Sequence, residues 1–120
     1  MSRYTPTEIK LNRDNRMLTV SFPNGSSYDL SCEYLRVFSP SAEVQGHSAD
    51  EATLQIGKEH VNITKIEPVG NYAVLLHFDD GHNTGYYTWE TLYELGVNQA
   101  QNWAKYLADL KAAGINRLPH

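Results

Sequence analysis

Residues 17 to 22 read Met-Leu-Thr-Val-Ser-Phe, which places Leu18, Val20 and Phe22 on one side and Met17, Thr19 and Ser21 on the other. That period of two is the pattern of a half-buried strand. Pro23-Asn24-Gly25-Ser26 follows. Asn-Gly tolerates the positive φ angles of a tight turn, so a hairpin returning over Ser27 to Leu30 is predicted. Ser31 is placed to cap a short helix from Cys32 to about Phe38, with Glu33 in its electropositive first turn. The same plan returns in the second half of the chain. Val74, Leu76 and Phe78 share a strand face, Asp79-Asp80-Gly81-His82 is the turn, Tyr86 and Tyr87 lie on the return strand, and Thr88 caps a helix from Trp89 to Leu95. Phe22 and Phe78, Gly25 and Gly81, Glu33 and Glu90, and Leu35 and Leu92 then correspond, which makes an internal repeat.

Two further strands are expected at Glu8 to Asn12 and at Val61 to Pro68, the latter joined to the second hairpin through Gly70-Asn71. From Asn98 to Ala113 the period changes: Trp103, Tyr106, Leu107 and Leu110 share one helical face, Lys105, Asp109 and Lys111 take the other, and Gly114 ends the helix. The predicted fold is α+β, a mostly antiparallel sheet of five or six strands with two short helices and a longer C-terminal helix over about 98–113 covering one face. Ser39 to Ile56 is the longest stretch without a pattern, and loops of that length are commonly functional or mobile. Ser39 to Gly57 is therefore expected to be the most mobile internal segment.

At 120 residues the chain is expected to be a single domain, 1–120, with a core of its own. An apolar fraction of 41% and a charged fraction of 20% are those of a soluble globular protein. The net charge is -4, and the basic residues are scattered from Arg3 to Arg117, an arrangement that argues against nucleic-acid binding. No apolar run approaches the roughly 20 residues that span a bilayer, and Met-Ser-Arg-Tyr-Thr-Pro lacks the apolar core of a secretory signal. Cys32 is the single cysteine, so no internal disulfide forms. These features lead to the expectation of a cytoplasmic protein without a nucleic-acid or membrane partner.

The strong chemical motifs are missing: there is no Gly-rich phosphate loop, no Cys-x-x-Cys pair and no His-Glu-x-x-His helix. His77-x-Asp79 with a distant histidine has the residue types of a two-histidine, one-carboxylate iron triad. The structural alternative, a solvated strand face ending in a hairpin turn, is preferred, because a chain of this length has no room for the barrel that surrounds such triads. Cys32 opens a helix, where a thiol can be activated, but a small buried hydrophobe is the preferred reading. His47 and His82 lie in polar, glycine-containing turns and are the metal-ligand candidates, against the plain alternative of solvated loop histidines. Tyr86, Tyr87, Trp89 and Tyr93 supply either core or a protein contact.

Two stretches carry a family resemblance: Tyr-Asp-Leu-Ser-Cys-Glu-Tyr-Leu-Arg-Val-Phe-Ser-Pro-Ser-Ala-Glu-Val (28 to 44) and His-Phe-Asp-Asp-Gly-His-Asn-Thr-Gly-Tyr-Tyr-Thr-Trp-Glu-Thr-Leu (77 to 92). Over about residues 9–95 the chain resembles the gamma-butyrobetaine hydroxylase-like N-terminal domain family. Members of that family precede the catalytic domain of 2-oxoglutarate-dependent dioxygenases, are fused to P-loop ATPases that carry iron-sulfur clusters, or stand alone as small bacterial proteins of unknown function. This chain is similar to the last. In the dioxygenases the module holds zinc through a Cys-x-Cys-x-x-Cys loop after the Leu-Arg and through the histidine of the Asp-Gly-His turn. Those positions fall on Ser39, Ser41, Val44 and His82, so the resemblance implies that the three-cysteine, one-histidine zinc site is not retained. It also implies that His82 lies close to the segment from Ser39 to His47, and that Glu43, His47 and His82 are the groups available for a weaker divalent metal.

The function expected from these readings is a non-catalytic binding or adaptor module for a protein partner, with Arg36, Ser39, Ser41, Glu43, His47 and His82 as its candidate binding residues. No enzyme is expected, because no nucleophile and base form a recognisable pair and the iron triad belongs to a separate catalytic domain. No cofactor is expected beyond a weak divalent metal at His47 and His82. The rival expectation is a metal-handling accessory of iron or iron-sulfur metabolism.

Overall fold

The structure is a computed structural model and describes residues 5–41 and 54–115. In each half of the chain three antiparallel strands run straight into a helix. The first half comprises β1 (Glu8–Asn12), β2 (Met17–Ser21), β3 (Ser27–Ser31) and α1 (Cys32–Val37). The second comprises β4 (Ile63–Val69), β5 (Ala73–Phe78), β6 (Tyr86–Thr88) and α2 (Trp89–Val97), and α3 (Gln99–Ala112) follows. Among the described residues no helix is long and apolar enough to cross a membrane.

The α+β class holds, but the single sheet of five or six strands is corrected: the strands form two separate three-stranded sheets, ordered β1-β2-β3 and β4-β5-β6. The cause lies in how each meander ends. β3 passes into α1 at Ser31-Cys32 and β6 into α2 at Thr88-Trp89 with no intervening loop. Beside β3 lies α2, not another strand, since a Cβ added at Gly96 would stand 2.4 Å from Tyr28 Cγ. Periodicity reveals strands but not which edges pair.

The repeat extends to individual hydrogen bonds. The Phe22 amide donates to the Ser26 carbonyl at 2.9 Å and the Gly25 amide to the Phe22 carbonyl at 3.1 Å; the amides of Phe78 and Gly81 donate to His82 and Phe78 at the same two distances. Gly25 and Gly81 carry φ values of +88° and +90°, a region that side chains with a Cβ avoid. The Asn24 side chain accepts from the Ser26 amide, as Asp80 accepts from that of His82. Ser31 Oγ caps α1 through the Tyr34 amide and Thr88 Oγ1 caps α2 through that of Thr91.

Leu18, Val20 and Leu30 of one sheet and Val74, Leu76 and Tyr87 of the other are buried in a single core. Burial of each aliphatic side chain contributes about 1.5–3 kcal/mol before ordering costs. A register shift between Ile63 and Lys65 pairs Ile63 with Phe78 and Ile66 with Leu76, which turns both isoleucines inward. The halves also interlock. The Tyr87 hydroxyl of β6 donates to the Leu35 carbonyl of α1, and the Tyr34 hydroxyl of α1 donates to the Leu95 carbonyl of α2 at 2.7 Å. α3 lies across α1, with Tyr106 and Leu110 buried against Val37 and Trp103 edge-on to Tyr34. Leu107 departs from the expected face and is 39% exposed, because the contact centres on positions 103, 106 and 110.

Of the segment from Ser39 to Gly57 that is expected to be mobile, Ser39 and Ser41 are buried and hydrogen-bonded. Residues 42–53 lie outside the described residues.

Candidate functional site

Two segments meet at the C-terminal end of α1. The first is the helix end, with Arg36 in the last turn, Phe38 as the C-cap and Ser39 and Ser41 beyond it. The second is the β5–β6 turn with Asp80, His82 and Thr84. Ser39 Oγ lies 2.9 Å from His82 Nε2 and accepts from the Ser41 amide at 3.2 Å. Ser41 Oγ pairs with Thr84 Oγ1 at 2.7 Å. A glycine at position 85 makes the approach possible, since a Cβ there would stand 2.4 Å from Ser39 Oγ. The corresponding residue of the first half is Tyr28, which meets Gly96 instead. At each junction one partner is glycine.

An ion cluster borders the hydroxyl cluster. Asp80 Oδ2 accepts from Arg36 Nε at 2.9 Å and from Lys58 Nζ at 2.8 Å, while Arg36 Nη1 donates to Gln55 Oε1 at 3.0 Å. Partial burial pushes the Asp80 acid upward, but bonds from Lys58, the His82 amide and Arg36 outweigh it and hold the carboxyl at about 2. Asp80 is thus an anion across the physiological range. Burial drives the Tyr87 hydroxyl well above the usual phenol range. Among the described residues no buried side-chain nitrogen or oxygen lacks a hydrogen bond.

Of the candidate binding residues, Arg36, Ser39, Ser41 and His82 are brought together, and the implied closeness of His82 to the segment after α1 is borne out at hydrogen-bond distance. Glu43 and His47 lie outside the described residues. The sequence reading missed Lys58, Gln55, Thr84 and Gly85. A signal for Asp80 did exist, because the repeat aligns it with Asn24: an asparagine suffices to satisfy the turn amide, and the charge at position 80 is surplus to the turn.

The other sequence candidates have structural roles. His77 Nε2 faces Glu67 Oε1 at 3.0 Å while Asp79 Oδ1 accepts from the Asn62 amide at 3.1 Å, so the residues of the would-be iron triad serve different partners. Cys32 is fully buried, its thiol 3.8 Å from Asn62 Oδ1 and pushed up by burial, as a small hydrophobe would be. Of the aromatic residues, Tyr87 is core and Tyr86 is 55% exposed.

What the cluster can do is limited by its geometry. A hydroxyl and an imidazole at 2.9 Å have the separation of a nucleophile and its base. Ser39 is nevertheless fully buried, and the Gly85 backbone lies against its Oγ, so a substrate carbonyl has no approach. Nor do the residues fit zinc. Neutral serine hydroxyls are poor ligands, and the imidazole nitrogen that faces them is already hydrogen-bonded.

Solved structures share this arrangement of elements. Two structures determined by NMR in solution are 55% and 47% identical to the chain, with TM-scores of 0.80 and 0.84. The first match covers 96% of this chain and 87% of the other, and the second covers 99% and 94%. A crystal structure of a protein of unknown function, of the DUF971 family from Acidithiobacillus ferrooxidans, is 42% identical with a TM-score of 0.65, over 78% of this chain and 94% of that one. Among curated proteins none matches. The family model described as gamma-butyrobetaine hydroxylase-like, N-terminal, matches residues 9–93, and the chain belongs to that family.

Proposed function

We propose that this domain is a non-catalytic binding module that serves a protein partner in the cytoplasm. In this reading a hydrogen-bonded clasp pins the end of α1 to the β5–β6 turn, the place where dioxygenase-linked relatives use zinc. The observation that carries it is the buried 2.9 Å contact between Ser39 and His82, at two positions the resemblance assigns to metal ligands. A buried cluster of this kind shapes a surface without turning over a substrate. The rival reading, a metal-handling accessory of iron or iron-sulfur metabolism, draws on the same convergence of His82 with the segment after α1.

Metal analysis combined with thermal melting separates the two. The purified protein is expected to carry no stoichiometric metal and to melt at the same temperature with and without EDTA. A structural zinc would contribute folding free energy directly, and its removal would unfold the domain. A stoichiometric metal together with a large fall in Tm after chelation favours the rival.

A further inference from the structure

The two sheets end in four edge strands, β1, β3, β4 and β6, and three of them are covered or blunted. At β3 the Gln99 side chain donates to the Asp29 carbonyl at 3.0 Å. β6 has only three residues, and Ser39 and Pro40 stand against Gly85 just before it. β4 carries Pro68, which has no amide to offer, and a register shift between Ile63 and Lys65. Short strands, prolines and bulges all discourage the pairing of a further strand. β1 has none of these devices: it pairs with β2 in unbroken register from Glu8 opposite Ser21 to Asn12 opposite Met17.

The direction of its free backbone groups follows from bonds further inside the sheet. The Phe22 amide donates to the Ser26 carbonyl and the Cys32 amide to the Arg16 carbonyl, so the even-numbered residues of β2 turn their backbone groups toward β3 and the odd-numbered ones toward β1. Met17, Thr19 and Ser21 lie opposite Asn12, Lys10 and Glu8. The N–H and C=O of Ile9 and Leu11 therefore point away from the sheet. Side chains alternate as well, with Glu8, Lys10 and Asn12 exposed and Ile9 and Leu11 half-buried against the core.

We infer that β1 pairs with β1 of a second copy of this chain, antiparallel about a two-fold axis at Ile9, which joins the two sheets into one of six strands, three from each copy. An axis there sets Ile9 against Ile9, each amide donating to the other's carbonyl, and brings Glu8 of each copy opposite Lys10 of the other. Both ion pairs form together, because Glu8-Ile9-Lys10 is its own complement when reversed. An axis at Lys10 would put two lysines face to face, and one at Leu11 would set Lys10 against Asn12. Charge thus selects both the occupant and the register. The interface uses no residue of the clasp and is independent of the binding-module reading.

The test is sedimentation of the full chain over a dilution series, read together with amide hydrogen exchange. The mass is expected to rise toward that of two chains as concentration increases, and exchange at the Ile9 amide to slow in parallel. Lys10→Glu and Glu8→Lys, both at exposed positions, should each weaken self-association by about tenfold, because each turns both ion pairs into like-charge contacts. An equimolar mixture of the two variants should associate again, since the acidic positions of one then face the basic positions of the other. A chain that stays monomeric at the highest concentration overturns the inference. So does a dimer that both substitutions leave unchanged, or one in which the Ile9 amide exchanges as fast as in the monomer.

Discussion

Replacing Gly96 by alanine is expected to destabilise the domain by about 2–3 kcal/mol, as overpacking does. At an ordinary helix position the same change stabilises by up to about 1 kcal/mol, so the sign itself is diagnostic. The new Cβ would stand 2.4, 2.5 and 3.0 Å from Cγ, Cδ2 and Cβ of Tyr28. Those atoms lie next to the Tyr28 backbone and cannot swing aside as a side-chain tip can. The ring is also held, with Phe22 and Tyr93 each 6.1 Å away between centroids. Urea denaturation measures the loss. Tyr28→Ala in the Gly96→Ala background should cost less than in the wild-type chain, because it removes the clash. A Gly96→Ala variant more stable than wild type would show that α2 does not press on β3.

Ser39→Ala, which removes a single oxygen, is expected to cost about 1–3 kcal/mol because buried groups lose their bonds without gaining water. His82 Nε2 and the Ser41 amide both use Ser39 Oγ, and Ser39 is fully buried. Ser41→Ala provides the comparison. Its Oγ pairs with Thr84, an exposed residue whose hydroxyl can turn to solvent, so a smaller loss is expected. Urea denaturation of both variants decides the point, and equal losses would mean that the Ser39–His82 contact carries no special weight in the fold.

Sequence and structure agree where the determinants are local. Alternation at Leu18, Val20 and Phe22 and at Val74, Leu76 and Phe78 is a property of adjacent residues, as are the Asn24-Gly25 turn and the Ser31 and Thr88 caps, and each element lies where these signals put it. The division into two sheets could not be read this way, because the neighbour of the β3 edge, α2, begins only at Trp89, far along the chain from Ser31. Gly85 and Gly96 illustrate the same limit: each looks like an ordinary glycine until its distant neighbour, Ser39 or Tyr28, is known. β4 begins at Ile63, two residues after the Val61 that the alternation predicts, and a register shift follows between Ile63 and Lys65. Of the candidate site, Ser39, Ser41 and His82 were legible through the family resemblance, which ties together segments that no local pattern connects. Gln55, near the end of the 39–57 segment, and Lys58, just beyond it, also reach the site, and nothing in their own neighbourhood marks them.

The most direct measurement is the 15N spectrum of the His82 ring, recorded on metal-stripped protein and again after addition of stoichiometric zinc. If the clasp is a hydrogen bond between imidazole and hydroxyl, the Nε2 resonance of the stripped protein is that of a hydrogen-bonded ring nitrogen in a folded domain, and zinc leaves both it and Tm unchanged. A zinc-dependent shift of Nε2 that saturates at stoichiometry, accompanied by a rise in Tm, would contradict this and make the junction a metal site.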